Sequence, residues 1–321
     1  MEYTWYFARL LFQIITERNE QMAYKKFNDL VEACKQNPHT NTVAVAGAAD
    51  AHVLGAVVKA EKINLVKPIL IGNGAEIERL LTEMGEEAAN YRIVSAETPA
   101  DCGVEAVELI KAGEADFIMK GMVDTKDVLK PLVKKENGLH TGRAMCVFTY
   151  NEVPQMDKMM AQADGGMIPY PTLEQKRDII ISSVEALHKL GIEHPSIAVL
   201  APVEKVNPKM VECTDAAALV EMNKNGTITG CDVVGPISYD IAMSKEIAAT
   251  KKYDCPYCGE FDMLVYPNMS AGNMAHKAMI ICGGTKMAGV VVGAKIPVVL
   301  TSRGTSEEEK FVSLALASLI S

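Results

Sequence analysis

At 321 residues the chain is longer than one ordinary core, so two domains are expected. Charged residues make up 23% and apolar residues 49%, the balance of a folded globular protein. The net charge of -9 argues against a broad nucleic-acid or anionic-membrane surface, yet leaves room for a small anion held by local cations or a helix N-terminus.

Residues 1–21 (MEYTWYFARLLFQIITERNEQ) hold the only Trp and an apolar patch too short to span a bilayer and too interrupted for a secretion signal. They read as an upstream extension without a catalytic part; the rival reading is an amphipathic arm that packs on a partner subunit. Met22 opens an amphipathic helix containing FNDLVEACK. Short apolar runs then alternate with helical periodicity. Strands are expected at 42–46, 68–72, 91–94 and 116–119, and helices at 50–61 and 100–111. Near-continuous apolarity in those strands indicates two covered faces, hence a doubly wound parallel α/β sheet. Another strand over 143–150 enters a Pro- and Gly-rich stretch, 154–171. Thr172 and Gln175 form a capping box for a helix through Leu190. Strands follow at 197–200, 232–234, 263–265, 289–292 and 297–300, and a last helix spans 307–320.

Eight cysteines lie scattered, most in apolar runs (Cys146, Cys231, Cys282), as reduced buried residues of a cytoplasmic protein. Cys255 and Cys258 form a lone C-x-x-C pair, read as a turn bracketed by two thiols. No metal site is expected.

The sharpest chemical segment is VVLTSRGTSEEEK, from Val298 to Lys310. A parallel strand ends there, a turn follows, and a helix begins near Thr305 or Ser306. Ligands of open α/β sheets bind outside the carboxyl ends of strands, and a helix N-terminus adds unpaired N–H groups. Ser302 supplies a hydroxyl and Arg303 a bidentate guanidinium for a phosphate or oxyanion. An always-charged group at the positive end of a helix is misplaced unless an anion sits there. Thr305 and Ser306 are explained as caps paired with Glu308 and Glu309, although both border the same candidate pocket. Glu309, one turn into the helix, could face the cleft as a base. A second strand–turn–helix segment, VYPNMSAGNMAHKAM, offers Asn268, Gly272, Asn273 and Lys277 as an anion or ligand loop; His276 reads as a surface or interface residue. A third, KGMVDTKDVLKP, puts Lys120 at a strand end by the cleft, with Asp124 or Thr125 as the cap. A fourth is GPISYD, from Gly235 to Asp240. Four strand ends from both halves are expected to converge on one cleft. Arg143 joins Lys120 as a substrate-binding candidate.

In this order, KGMVDTKDVLK, PTLEQKRDIIISSV, SIAVLAPVEKVNPKM, GCDVVGPISYDIA, YPNMSAGNMAHKAM and GAKIPVVLTSRGTSEEEK resemble the phosphate acetyl/butyryltransferase family, and its butyryl-type branch most. The resemblance runs from about Met22 to the C-terminus. It implies a two-domain fold like that of isocitrate and isopropylmalate dehydrogenases, with a central cleft. Residues 22–146 and 297–321 would form the first domain and 147–296 the second. It further implies acyl-CoA + phosphate ⇌ acyl phosphate + CoA, with CoA as substrate, no other cofactor and no metal, in a homo-oligomer. Ser302, Arg303 and the acidic Glu309 take the family's catalytic positions. The chain departs from butyryl-type relatives at Cys146-Val147, at Asp164-Gly165-Gly166, at His276 and at the CPYC segment, which leaves the acyl group open. The alternatives are a catalytically silent module that binds CoA or acyl phosphate, and a metal- or NAD-dependent hydroxy-acid dehydrogenase on the same fold.

Overall fold

The computed structural model describes residues 24–301 and 304–321. The N-terminal segment 1–21, Met22, Ser302 and Arg303 lie outside the described residues.

Eleven strands form one sheet in the order β3-β2-β1-β4-β11-β10-β5-β6-β9-β7-β8. The strands are β1 Thr42–Ala46, β2 Lys67–Gly72, β3 Arg92–Ser95, β4 Phe117–Lys120, β5 Cys146–Glu152, β6 Met160–Ala163, β7 Ser196–Leu200, β8 Asp232–Ile237, β9 Met263–Val265, β10 Lys286–Val292 and β11 Val298–Val299. The helices are α1 Phe27–Gln36, α2 Ala51–Lys62, α3 Gly74–Glu83, α4 Pro99–Lys111, α5 Thr125–Leu132, α6 Leu173–Lys189, α7 Val211–Lys224, α8 Tyr239–Met243, α9 Lys245–Thr250, α10 Met269–Gly283 and α11 Glu307–Leu319.

The expected parallel sheet is present as two blocks. In one, β3, β2, β1, β4 and β11 run parallel; in the other, β6, β9, β7 and β8 do. Between them β11–β10, β10–β5 and β5–β6 pair antiparallel. Connection length explains the β5–β6 and β10–β11 pairs. The links 153–159 and 293–297 are too short for a crossover helix, so each strand turns straight back on its predecessor. Strand β6, hidden in the Pro- and Gly-rich stretch, was not expected at all. Its sequence MAQA has weak strand propensity, and its burial on all four residues comes from neighbours remote in sequence. Inside it the fully buried Gln162 is satisfied, since its Oε1 accepts from the Tyr266 hydroxyl at 3.1 Å.

Local signals set the helix starts. Asp50, Asn73, Thr98, Thr172, Asn268 and Ser306 each accept a backbone N–H through the side chain at a helix N-terminus. Asp124 stands at the N-cap of α5 without such a side-chain bond, and its carboxylate lies 3.4 Å from Lys126 Nζ. The C-terminal segment returns to the first strands: β11 sits between β4 and β10, and α11 packs on α1, α2 and β10. Phe311, Leu314, Ala315 and Leu316 are buried there, each large side chain stabilising by roughly 1.5–3 kcal/mol. Polar ties reinforce the contact, including Asn41 Nδ2 to the Ser318 carbonyl at 2.7 Å and the Gly289 N–H to Ser313 Oγ at 3.0 Å.

Six cysteines are buried and Cys255 is half-buried, but Cys282 is exposed, against expectation. It lies near the end of α10, which turns much of its apolar sequence outward, with Met274 and Ile281 67% and 81% exposed. Among the described residues no helix is long and apolar enough to cross a membrane.

Candidate active site

Over the central β5–β10 pair lies a cavity of about 760 Å³. One wall comes from the end of β4 and the start of α5, with Lys120, Asp124 and Thr125; the opposite wall comes from Gly165 and Gly166 after β6 and from Asn273, His276 and Lys277 on α10. Val147, Thr149 and Gly289 form the floor, and Thr305 and Glu309 close the side where β11 hands over to α11. Carboxyl ends of β4, β6 and β11 thus meet the cavity, as open α/β sheets place their ligands.

Lys120 is buried at 5% exposure, with Nζ donating to the carbonyls of Gly121 and Val123, each at 3.2 Å. Burial pushes the Glu309 carboxyl above the usual carboxylate range, while Lys310 and then Lys277 pull it back down. Asp164 accepts from the N–H groups of Val147, Gly166, Met167 and Ile168 at 2.7–3.2 Å, so one buried carboxylate fixes the glycine turn to β5. Burial raises the pKa of Asp164 against the pull of those donors.

His276 differs from its expected surface position. It is 8% exposed, its Nε2 lies 3.4 Å from Thr149 Oγ1, and its ring meets Tyr266 edge-on at 5.5 Å between centroids. Burial, then the Lys277 charge, lowers its pKa to about 4, so the imidazole is neutral near pH 7. The glycines beside it are required by packing. A Cβ on Gly165 would come within 2.6 Å of His276 Nδ1, and one on Gly272 within 2.8 Å of the Asp164 carbonyl.

Of the sequence candidates, Lys120, Asn273, Lys277, Thr305 and Glu309 line this cavity. Ser306 caps α11 by accepting from the Glu309 N–H at 3.2 Å. Asn268 caps α10, accepting from the Ala271 N–H at 3.0 Å, and Gly272 packs beneath the glycine turn rather than facing the cavity. Arg143 is absent from the lining; its guanidinium forms a fork on Glu185 at 2.7 and 2.8 Å. The GPISYD segment does not converge on the site, because β8 is the outer edge of the sheet and Asp240 is engaged with Lys251 at 2.9 Å. Ser302 and Arg303 fall between Thr301 and Gly304, both in the lining, but are outside the described residues. Sequence reasoning missed Thr149 and the inward placement of His276; Gly165 and Gly166 were singled out only as a departure from butyryl-type relatives. Among the described residues no cluster of three or more His, Cys, Asp or Glu could hold a metal ion. Cys255 and Cys258 bracket a turn outside the cavity lining, in the apolar cluster that holds Phe261 and Tyr266.

The class defined by this fold is an α/β protein with a cavity at strand ends, where such sheets place their ligands. Residues 85–318 match the family described as "Phosphate acetyl/butaryl transferase". The chain is 40% identical over 277 residues to a phosphate acetyltransferase of Thermotoga maritima, covering 86% of this chain and 94% of that protein. It is 38% identical over 296 residues to a phosphate butyryltransferase of Clostridium acetobutylicum, covering 92% and 98%. A solved branched-chain phosphotransacylase from Enterococcus faecalis superposes with a TM-score of 0.78 at 32% identity, covering 88% of this chain and 99% of that one. The chain belongs to the phosphate acetyl/butyryltransferase family and is an acyltransferase.

Proposed function

We propose that the chain interconverts a short-chain acyl-CoA plus phosphate with acyl phosphate plus CoA. The observation that carries this reading is a half-buried carboxyl, Glu309, acted on by the charges of Lys310 and Lys277, on the wall of a cavity bordered by strand ends. A carboxyl lifted by burial is suited to accept a proton from a thiol. Only the thiolate of CoA is a competent nucleophile, so Glu309 deprotonates it as the sulfur attacks the acyl-phosphate carbonyl. Arg303 holds the phosphate and Ser302 donates to the charge that builds on the carbonyl oxygen, roles assigned from sequence position. Lys120, Asn273 and Lys277 border the space the substrates occupy. No further cofactor or metal is assigned. The site works on soluble small molecules, in the cytoplasm, without nucleic acid or membrane.

The acyl group is a short alkyl chain, acetyl to branched five-carbon. The named relatives include acetyl-, butyryl- and branched-chain transferases, which supports this range. The test is thiol release from a series of acyl-CoAs on adding phosphate, with no release from any donor refuting the reading. In that assay Arg303→Ala should raise the phosphate requirement and cut turnover about 100-fold or more. A homo-oligomer is proposed as well, supported by the outward apolar side chains of α10. A single-chain mass by light scattering would refute it.

A further inference from the structure

Lys310 is a charged side chain that the scheme above leaves unused. It lies in the first turn of α11, where a cation opposes the positive end of the helix dipole. It is nevertheless buried, at 4% exposure, where an ammonium is costly unless something repays its dehydration. Two groups do so. Its Nζ donates to the carbonyl of Thr305, the residue preceding the Ser306 cap. Glu309 precedes it in the helix, and the Lys310 charge acts on that carboxyl more strongly than that of Lys277. A helical side chain leans toward its own N-terminus, so Lys310 reaches back over the turn it pins.

We propose that Lys310 is a positioning residue of the active site: it clamps the β11–α11 turn through the Thr305 carbonyl and provides the fixed positive charge beside Glu309. The clamp acts with the Ser306 hydroxyl, which accepts from the Glu309 N–H at 3.2 Å, so the turn is held at two successive residues. In the sequence Ser302 and Arg303 stand just before Gly304 and Thr305. The charge acts on the base. Burial alone favours the protonated carboxyl, and an adjacent cation shifts the balance back toward carboxylate.

Other charged groups surround Glu309, because a second cavity of about 670 Å³ meets the first there. From α10 come Lys277 and the neutral His276; from β4 and the α5 cap, Lys120 and Asp124. In the second cavity Lys59 of α2 is engaged with Glu308, Lys286 of β10 lies 3.7 Å from Glu152 of β5, and Lys26 precedes α1. Lys310, like Lys120, is buried, and its Nζ is bonded to the Thr305 carbonyl at the start of α11.

This inference rests on Glu309 being the base, so its test has a readout independent of turnover. The titration of Glu309, followed by carbon NMR of glutamate-labelled protein and assigned by its absence in Glu309→Gln, should move upward by about one pH unit in Lys310→Met. The acid limb of the pH–kcat/KM profile should move by the same amount, and kcat should fall about tenfold or more. Lys310→Arg keeps the charge and should leave both midpoints in place while restoring part of kcat. Lys277→Met, at an exposed site, should move them less than Lys310→Met. An unmoved Glu309 titration in Lys310→Met overturns the proposal, as does a shifted one in Lys310→Arg. Should Lys310→Met fail to fold, the Lys310→Arg titration decides. If thiol release were absent in the parent protein while the titrations behaved as described, the acyl-transfer reading would fail and the electrostatic role would stand.

Discussion

Gly165→Ala gives the most direct test of how the cavity wall is built. The added methyl would meet His276 Nδ1 at 2.6 Å, His276 Cε1 at 2.7 Å and the Gly272 carbonyl carbon at 3.2 Å. The imidazole cannot yield freely, since it is held by Thr149 on one side and by the Tyr266 ring on another. Backbone retreat is opposed too, because Asp164 ties the turn through four N–H groups. Overpacking of this kind costs about 1–3 kcal/mol. Urea unfolding should therefore show that loss in Gly165→Ala, with kcat/KM reduced because the wall has shifted. Removing the obstructing ring in Gly165→Ala/His276→Ala should relieve most of the added penalty, giving a coupling of about 0.5–3 kcal/mol in a double-mutant cycle. Additive losses, or a Gly165→Ala protein as stable as the parent, would refute this account of the wall.

Three other perturbations separate the roles of charged groups. Glu309→Gln should lower kcat by about 100-fold or more with little change in the phosphate KM, and steady-state thiol release checks it. A loss of stability without a kinetic defect would make the residue a helix-start structural element only. Arg143→Ala should leave kcat/KM nearly unchanged and cost at most about 1 kcal/mol in denaturant unfolding, since it removes a partly exposed ion pair with Glu185. His276 should make stability depend on pH. Its folded pKa of about 4 lies below the ordinary 6.5, so the unfolded chain binds the proton more readily. The contribution is complete above pH 6.5 and is lost as pH falls toward 4, with a slope approaching about 1.4 kcal/mol per pH unit. In His276→Gln that part of the slope should vanish in pH-dependent unfolding; an unchanged slope would refute the buried neutral imidazole.

What the sequence by itself determined was local and periodic. Strand β1 and strand β9 were legible to the residue, because unbroken apolar runs bounded by turn residues admit little else. The caps at Thr172 and Ser306 were legible because a side chain and a backbone N–H three residues on settle them. Ordered motifs also gave the family and pointed to Glu309, while a strand end pointed to Lys120; both line one cavity. Tertiary structure alone decided which candidates meet. Arg143 is drawn to Glu185, Gly235 to Asp240 fall along and beyond an edge strand, and His276 is turned inward against Thr149. Strand β6 forms because β5 and β9 offer it partners, not because MAQA favours a strand. Each of these outcomes depends on contacts between residues in different elements, and neither periodicity nor propensity carries that information.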